Sequence, residues 1–445
     1  MTAFSYGTAY FSAVLFIGFA GKIGWSFGFS SLWIALFNAL VGVLLVWGIF
    51  GWKIKQMSTK YNVATMSEFL EKRYKSKNLK LISSIVIFIF LIPYSAAVFM
   101  GLSYLFTSNF GIDYGFVLLL MGTFTATYVI LGGYKSMAMI DMIFGIIMVI
   151  GVIILYIFAV NKGGGIGNIT DSLEMIKPKL IQPIGPPGFW RLFSLVFLTS
   201  VAPFAMPQLV QKFYAIKDKK SVKTGMIAST FFALLIGGVA YFLGSTTQLF
   251  LSPETTPNAF LDGKPIFDRL MPELLTNVIP ASLSVIILLL ILSASMSTLA
   301  SLVLVSSSSF SKDFWAGFVK KDINDKSLTS MMRIMSGVFV FLAVALAYAE
   351  LDVIVEILGI SWGAIGSFFL GPFVWGLFSK KFNKIGAYSS GLVGLAVCLV
   401  LYFVGSSIDI SPEPWYFTSP GAGTIGMIAS LVIWPIFSLF SKKTI

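Results

Sequence analysis

The 445-residue chain has no histidine and a single cysteine, Cys398, and only 11% of its residues are charged. Without histidine there is no His-based triad, His metal cluster or His proton relay, and one cysteine cannot form an intrachain disulfide. An average soluble domain is about a quarter charged, so the shortage of charge excludes an ordinary water-soluble fold. What is present instead is apolar. Hydrophobic residues make up 57% of the chain, 43 of them Phe, and the mean hydropathy is +0.89. They fall into separate runs near bilayer length, about 20 residues each. This pattern predicts an all-α polytopic membrane protein.

Twelve candidate spans lie near residues 4–26, 31–52, 80–106, 113–132, 137–160, 190–211, 224–248, 278–309, 331–349, 354–378, 385–405 and 421–440. Met1 to Tyr6 lacks a basic stretch and no small-residue cleavage site follows, so the first span is expected to be retained. With the N-terminus in the cytoplasm, 24 of the 31 Lys and Arg fall on the cytoplasmic side, including Lys135, Lys212 and the Lys380 to Lys384 cluster. Six fall outside, and Lys22 lies within the first span. The positive-inside rule then predicts a plasma-membrane protein with both termini cytoplasmic, and the net charge of +12 needs no nucleic-acid partner. The two long outer connections, 161–189 and 249–277, read as lids or surface loops.

Interrupted spans are tolerated in lipid only where the freed backbone groups face protein or a water-filled cavity. The first span carries Gly18, Gly21, Lys22 and Gly24 within seven residues, and the sixth carries Pro203 and Pro207 among hydroxyl residues. Breaks at matching positions in two halves point to a repeat-built transporter with its site at the midplane. The alternative is that these Gly and Pro residues serve helix packing. In the eighth span, Ala294, Ser297, Thr298 and Ser301 stand at i, i+3, i+4 and i+7, on one helix face. Such hydroxyls, with carbonyls freed by a broken helix, suit a desolvated Na+. They equally suit close helix approach.

Five motifs in order resemble the sodium/solute symporter family, and the resemblance covers nearly the whole chain. They are Thr65 to Tyr74, the double-Gly segment Gly132 to Asp141, Pro207-Gln208 to Asp218, Met296-Ser297-Thr298 with Ser306-Ser307 and Lys312-Asp313-Phe314, and Trp362 to Gly366 through Gly371-Pro372. The resemblance implies a five-plus-five inverted-repeat core of the leucine-transporter kind with helices one and six broken. Its divisions are a first repeat at 1–160, an outer loop at 161–189, a second repeat at 190–378 and two C-terminal helices at 379–445. It also implies Na+-coupled import of a small organic solute by alternating access. The expected Na+ ligands are Thr8, Phe11, Ala294, Ser297 and Thr298, with Asp141 near the ion path, and Leu15, Gly18, Phe19, Lys22 and Gln208 are the candidate solute contacts. The chain departs from the family pattern in three places. It lacks the usual helix before core helix one, it has Tyr10 or an apolar neighbour where the proline branch has an acid, and it carries Lys22.

A lysine near mid-membrane costs about 2.5 to 3.5 kcal/mol on insertion scales and usually marks a path for ions or substrate. Lys22 is expected to receive a solute carboxylate, which makes the solute anionic or zwitterionic. It could instead act as a tethered cation, or snorkel to the outer headgroups. Proton-driven or ion-independent transport is the alternative within the same fold. A membrane sensor or embedded enzyme is the alternative of another class. An embedded enzyme needs a nucleophile with its base, a metal cluster or paired acids, and Asp141 is the one acid the sequence places deep in the spans.

Overall fold

The computed structural model describes residues 2–440 except 279, 321 and 382, with side chains described outside 2–5, 133–140, 277–278, 281–282 and 438–440. Lys135 and most of the double-Gly motif therefore lie outside the described side chains, and Lys321, Lys442 and Lys443 outside the described residues. Among the described residues, eleven helical stretches are long and apolar enough to cross a membrane. The first of them, Val14–Tyr61, is 48 residues long and doubles back at Gly28. There φ is +59° and an added Cβ would lie 2.3 Å from the Leu180 carbonyl oxygen, so only glycine fits. On the return, the Gly42 carbonyl accepts the Tyr6 hydroxyl at 3.2 Å.

Side chains such as Phe116, Leu119, Leu131 and Phe341 point outward and are exposed, as a lipid-facing surface requires. Inside, small residues bring backbones together. Along the helix Ile354–Phe378, four glycines form a seam against the last helix, Ser419–Phe440. Gly359 meets Ser419, Gly363 meets Gly423, Gly366 meets Met427 and Gly371 meets Ser430, each leaving under 3.0 Å for a Cβ. Gly24 and Gly244 pack as closely, with an added Cβ on Gly24 only 2.2 Å from the Gly244 carbonyl carbon.

The two long connections, 161–189 and 249–277, hold more structure than loops. Ile166–Ile176 is a helix whose Ile169 and Leu173 are fully buried, in a cluster with Leu180 and Phe242. That stripe at i and i+4 outweighs the Gly and Pro around it. In the second connection a hairpin pairs Phe260 with Pro265 and Leu261 with Lys264. Its turn residues Asp262 and Gly263 both have positive φ, the Asp-Gly signature of a two-residue hairpin. A helix, Phe267–Val278, follows and packs against the Val14–Gly24 segment of helix one.

Candidate functional site

Helix one leaves helical geometry at Phe11 and Ser12, between Thr2–Tyr10 and a second segment, Val14–Gly24. The break precedes the Gly18 to Gly24 cluster, whose residues are all helical. Hydroxyls produce it. The Ala13 N–H donates to Ser295 Oγ at 3.0 Å and the Val14 N–H to Ser12 Oγ at 3.3 Å, while the Leu15 N–H goes to the Ser12 carbonyl at 3.0 Å. The Phe11 carbonyl thereby loses its usual i+4 donor. The glycines serve packing, with Gly18 against Ile354, Gly21 against the Phe267 carbonyl and Gly24 against Gly244. Helix six is interrupted within the expected stretch. Gly188–Val201 passes into a short turn at Ala202–Phe204, and Pro207–Tyr214 begins anew.

The five expected Na+ ligands come together. Thr298 Oγ1 lies 3.4 Å from the Thr8 carbonyl oxygen, 3.3 Å from that of Phe11 and 3.0 Å from that of Ala294. Ser297 Oγ lies 3.0 Å from Thr8 Oγ1. Thr8, Ala294, Ser297 and Thr298 are fully buried and Phe11 is nearly so. A hydroxyl has one proton, so three carbonyls around Thr298 are two more acceptors than it can satisfy. Buried oxygens in excess of donors suit a small hard cation, which takes oxygen ligands. The Ala294 contact alone would be ordinary i−4 back-bonding. The contacts to helix one are what the break adds.

Asp141 joins this cluster, with Oδ1 2.6 Å from Ser297 Oγ and Oδ2 3.4 Å from Lys212 Nζ. From the sequence Lys212 is expected in a cytoplasmic connection. The side chain is instead buried, on the Pro207–Tyr214 helix. Asp268 and Asp313 are buried acids too.

Beside Phe11 lies a chamber lined by Tyr10, Ser12, Asn38, Thr199, Tyr241 and Trp362 among others, with a cavity volume of about 30 Å³. That is room for a water or so, so a solute requires the chamber to widen. Of the expected solute contacts, Leu15 and Phe19 line it and Gly18, Lys22 and Gln208 do not. Gln208 is buried, and among the described residues neither amide atom has a hydrogen-bond partner. Lys22 has an acidic partner of its own. Its ammonium pairs with Glu356 Oε1 at 2.6 Å and borders a separate pocket of about 140 Å³ with Arg191 and Glu413. Glu356 also accepts the Ser419 hydroxyl at 2.6 Å. The partner was missed because Glu356, in the first turn of its span, reads as a helix-start acid.

On the other face, the Thr65 motif caps its helix Met66–Tyr74 with a reciprocal Thr65–Glu68 box. From there it ties to two other helices. Glu68 meets Lys312 at 2.8 Å, and Thr65 Oγ1 lies 3.0 Å from Asp313 Oδ1. Arg73 donates to the Gly376 carbonyl at 2.7 Å, and the Tyr74 hydroxyl to that of Pro372 at 2.6 Å. Burial pushes the Glu68 carboxyl up, but the Lys312 ammonium and the Ala64 N–H hold it below the usual range. Three of the sequence motifs thus meet one another here.

Comparison with known proteins bears on what this arrangement carries. The family model for the sodium:solute symporter family matches residues 1–394. A sodium/pantothenate symporter of Haemophilus influenzae is 28% identical over 91% of this chain and 82% of its own length. The high-affinity proline transporter PutP of Bacillus subtilis is 29% identical over 92% of this chain and 85% of its own. Among solved structures, a substrate-bound, outward-open Na+-coupled sialic acid symporter superposes with a TM-score of 0.79 at 18% identity, covering 99% of this chain and 89% of that one. The family consists of transporters, which removes the enzyme and sensor readings, and its coupling ion is Na+. The chain belongs to the sodium:solute symporter family and moves a small solute across the membrane together with Na+.

Proposed function

We propose that the chain imports a small carboxylate-bearing solute, an amino acid before others, with a Na+ held by the carbonyls of Thr8, Phe11 and Ala294 and the hydroxyls of Ser297 and Thr298. The observation that carries this reading is the convergence of three carbonyl oxygens on the single Thr298 hydroxyl. Proline, pantothenate and sialic acid, the solutes in the relatives' names, all bear a carboxylate. Lys22 is committed to Glu356, so the solute carboxylate is better received at the helix-one break. There the positive end of Val14–Gly24 borders the chamber at Val14 and Leu15. Phe19 and Leu15 supply apolar walls.

The reading includes twelve passages in a five-plus-five inverted-repeat core, divided at 1–160 and 190–378, with both termini in the cytoplasm. Cysteine labelling tests the topology. Position 170 should react from outside and position 219 from inside, and reversed labelling overturns it. For the site, the purified chain in proteoliposomes is assayed for counterflow of proline, pantothenate, sialic acid and glucose. Replacing Ser297 and Thr298 together with Ala should abolish Na+ stimulation of the transported solute. Retained stimulation in the double variant defeats the ion site, and a preference for glucose defeats the carboxylate.

A further inference from the structure

Lys212 is a lysine whose environment the Na+ site alone does not explain. It is 7% exposed, and a buried ammonium is expensive unless it is paired. Its acid is Asp141, which serves a second purpose. A hydroxyl that ligates a cation turns its lone pairs to the ion, so its proton must go elsewhere. Asp141 Oδ1, an acceptor, takes the Ser297 proton at 2.6 Å. The other carboxylate oxygen holds Lys212 Nζ at 3.4 Å, longer than the usual 2.7 to 2.9 Å or so of a charge-assisted bond. The carboxylate thus grips the ligand hydroxyl closely and the ammonium loosely. Thr8 lies 3.0 Å beyond Ser297. The chain of contacts runs from the inner half of helix six, through Asp141 and helix eight, to the break in helix one.

We infer that Lys212 is a positioning residue that sets Na+ affinity and release, its ammonium sharing Asp141 with the transported ion; this rests on the proposed Na+ site. Two cations near one carboxylate compete for it. With Lys212 close, Asp141 is neutralised and Na+ is held by uncharged oxygens, ready to leave. With Lys212 withdrawn, the full carboxylate charge faces the Ser297 side of the site and Na+ is held more tightly. Lys212 sits six residues from Met206, at the edge of the helix-six interruption, so movement of that half-helix would carry the ammonium toward or away from Asp141.

The test is binding and exchange of radiolabelled Na+, alone and without solute, on the purified full chain. Lys212→Met should lower the apparent Kd for Na+ about fivefold or more and slow Na+ exchange, so that affinity rises while turnover falls. Lys212→Arg keeps the charge and should bind Na+ like the parent. In an Asp141→Asn background, Lys212→Met should add no further change. Should Lys212→Met fail to fold, Lys212→Gln gives the same reading, since it too removes the charge. Unchanged or weakened Na+ binding in a folded neutral variant overturns the inference, as does equal tightening by Lys212→Arg. Ser297→Ala with Thr298→Ala reports separately. If Na+ binding survives there, the ion site itself is misplaced, whatever Lys212 does.

Discussion

The Tyr10 hydroxyl donates to the Thr199 carbonyl oxygen at 2.6 Å across 189 residues of sequence. Tyr10 is the last residue of the first half of helix one, and Thr199 lies two residues before the first half of helix six ends. One bond therefore joins the two interruptions and forms part of the chamber wall. Tyr10→Phe keeps the ring and deletes the bond, worth about 0.5 to 1.5 kcal/mol. Solute uptake should fall several-fold while Na+ binding stays near the parent value. Equal losses of both would show that Tyr10 supports the ion site rather than the chamber.

The Lys22–Glu356 pair is about one-fifth exposed on each side, between the surface and the buried cases. Removing one partner should cost about 1 to 3 kcal/mol of thermal stability, and removing both, as Lys22→Met with Glu356→Gln, less than the sum. The solute KM should stay within about twofold of the parent in Lys22→Met. A rise beyond about tenfold for a carboxylate solute would return Lys22 to the solute site.

Asp268 caps the start of Ile354–Phe378, its Oδ2 accepting the Ile354 N–H at 3.0 Å. Burial pushes its carboxyl from 3.8 to about 7, against the Ile354 N–H and Lys22, with Asp352 and Glu350 adding to the rise. A carboxyl raised in the folded state binds its proton more tightly there than in the unfolded chain. Its contribution to stability is therefore present at acid pH and lost as pH climbs from 3.8 through about 7. Melting of the detergent-solubilised protein should show this decline, and Asp268→Asn should flatten it. An identical pH profile in the variant would exclude Asp268 as its source.

Gly24 and Gly244 leave no space for a side chain, and an added Cβ on Gly244 would sit 2.0 Å from the Ala20 carbonyl oxygen. Gly244→Ala should destabilise by at least the 1 to 3 kcal/mol or so of an overpacked core, read as a lower melting temperature and less protein in the membrane. Gly238 has nothing within 4 Å of an added Cβ, so Gly238→Ala serves as the tolerated control.

Much of this was legible because bilayers impose simple rules on sequence. Span positions and the interruption of helix six followed from hydropathy and proline, and the Thr8, Phe11, Ala294, Ser297 and Thr298 grouping was what the resemblance to the sodium/solute symporter family implied. The break in helix one was misread. Three glycines and a lysine suggested it, but hydroxyls of Ser12 and Ser295 make it several residues earlier, and a contact 282 residues away in sequence leaves no local signal. The partners of Lys22 and Lys212 were not legible for a related reason. A lone charge has no visible partner until the fold brings Glu356 or Asp141 beside it. The helix Ile166–Ile176 was hidden by its Gly and Pro flanks, although its two buried residues already stood at helical spacing.

Around the site, the Lys212 and Asp141 charges cancel and the proposed ion ligands are all neutral oxygens. Over a complete cycle the protein's own charges return to where they began, so the net charge moved is set by the cargo. One Na+ with a zwitterion moves a single positive charge, and each 100 mV of inside-negative potential adds about 2.3 kcal/mol of driving force. With a monoanionic solute the same cycle is electrically silent, and accumulation depends on the chemical gradients alone.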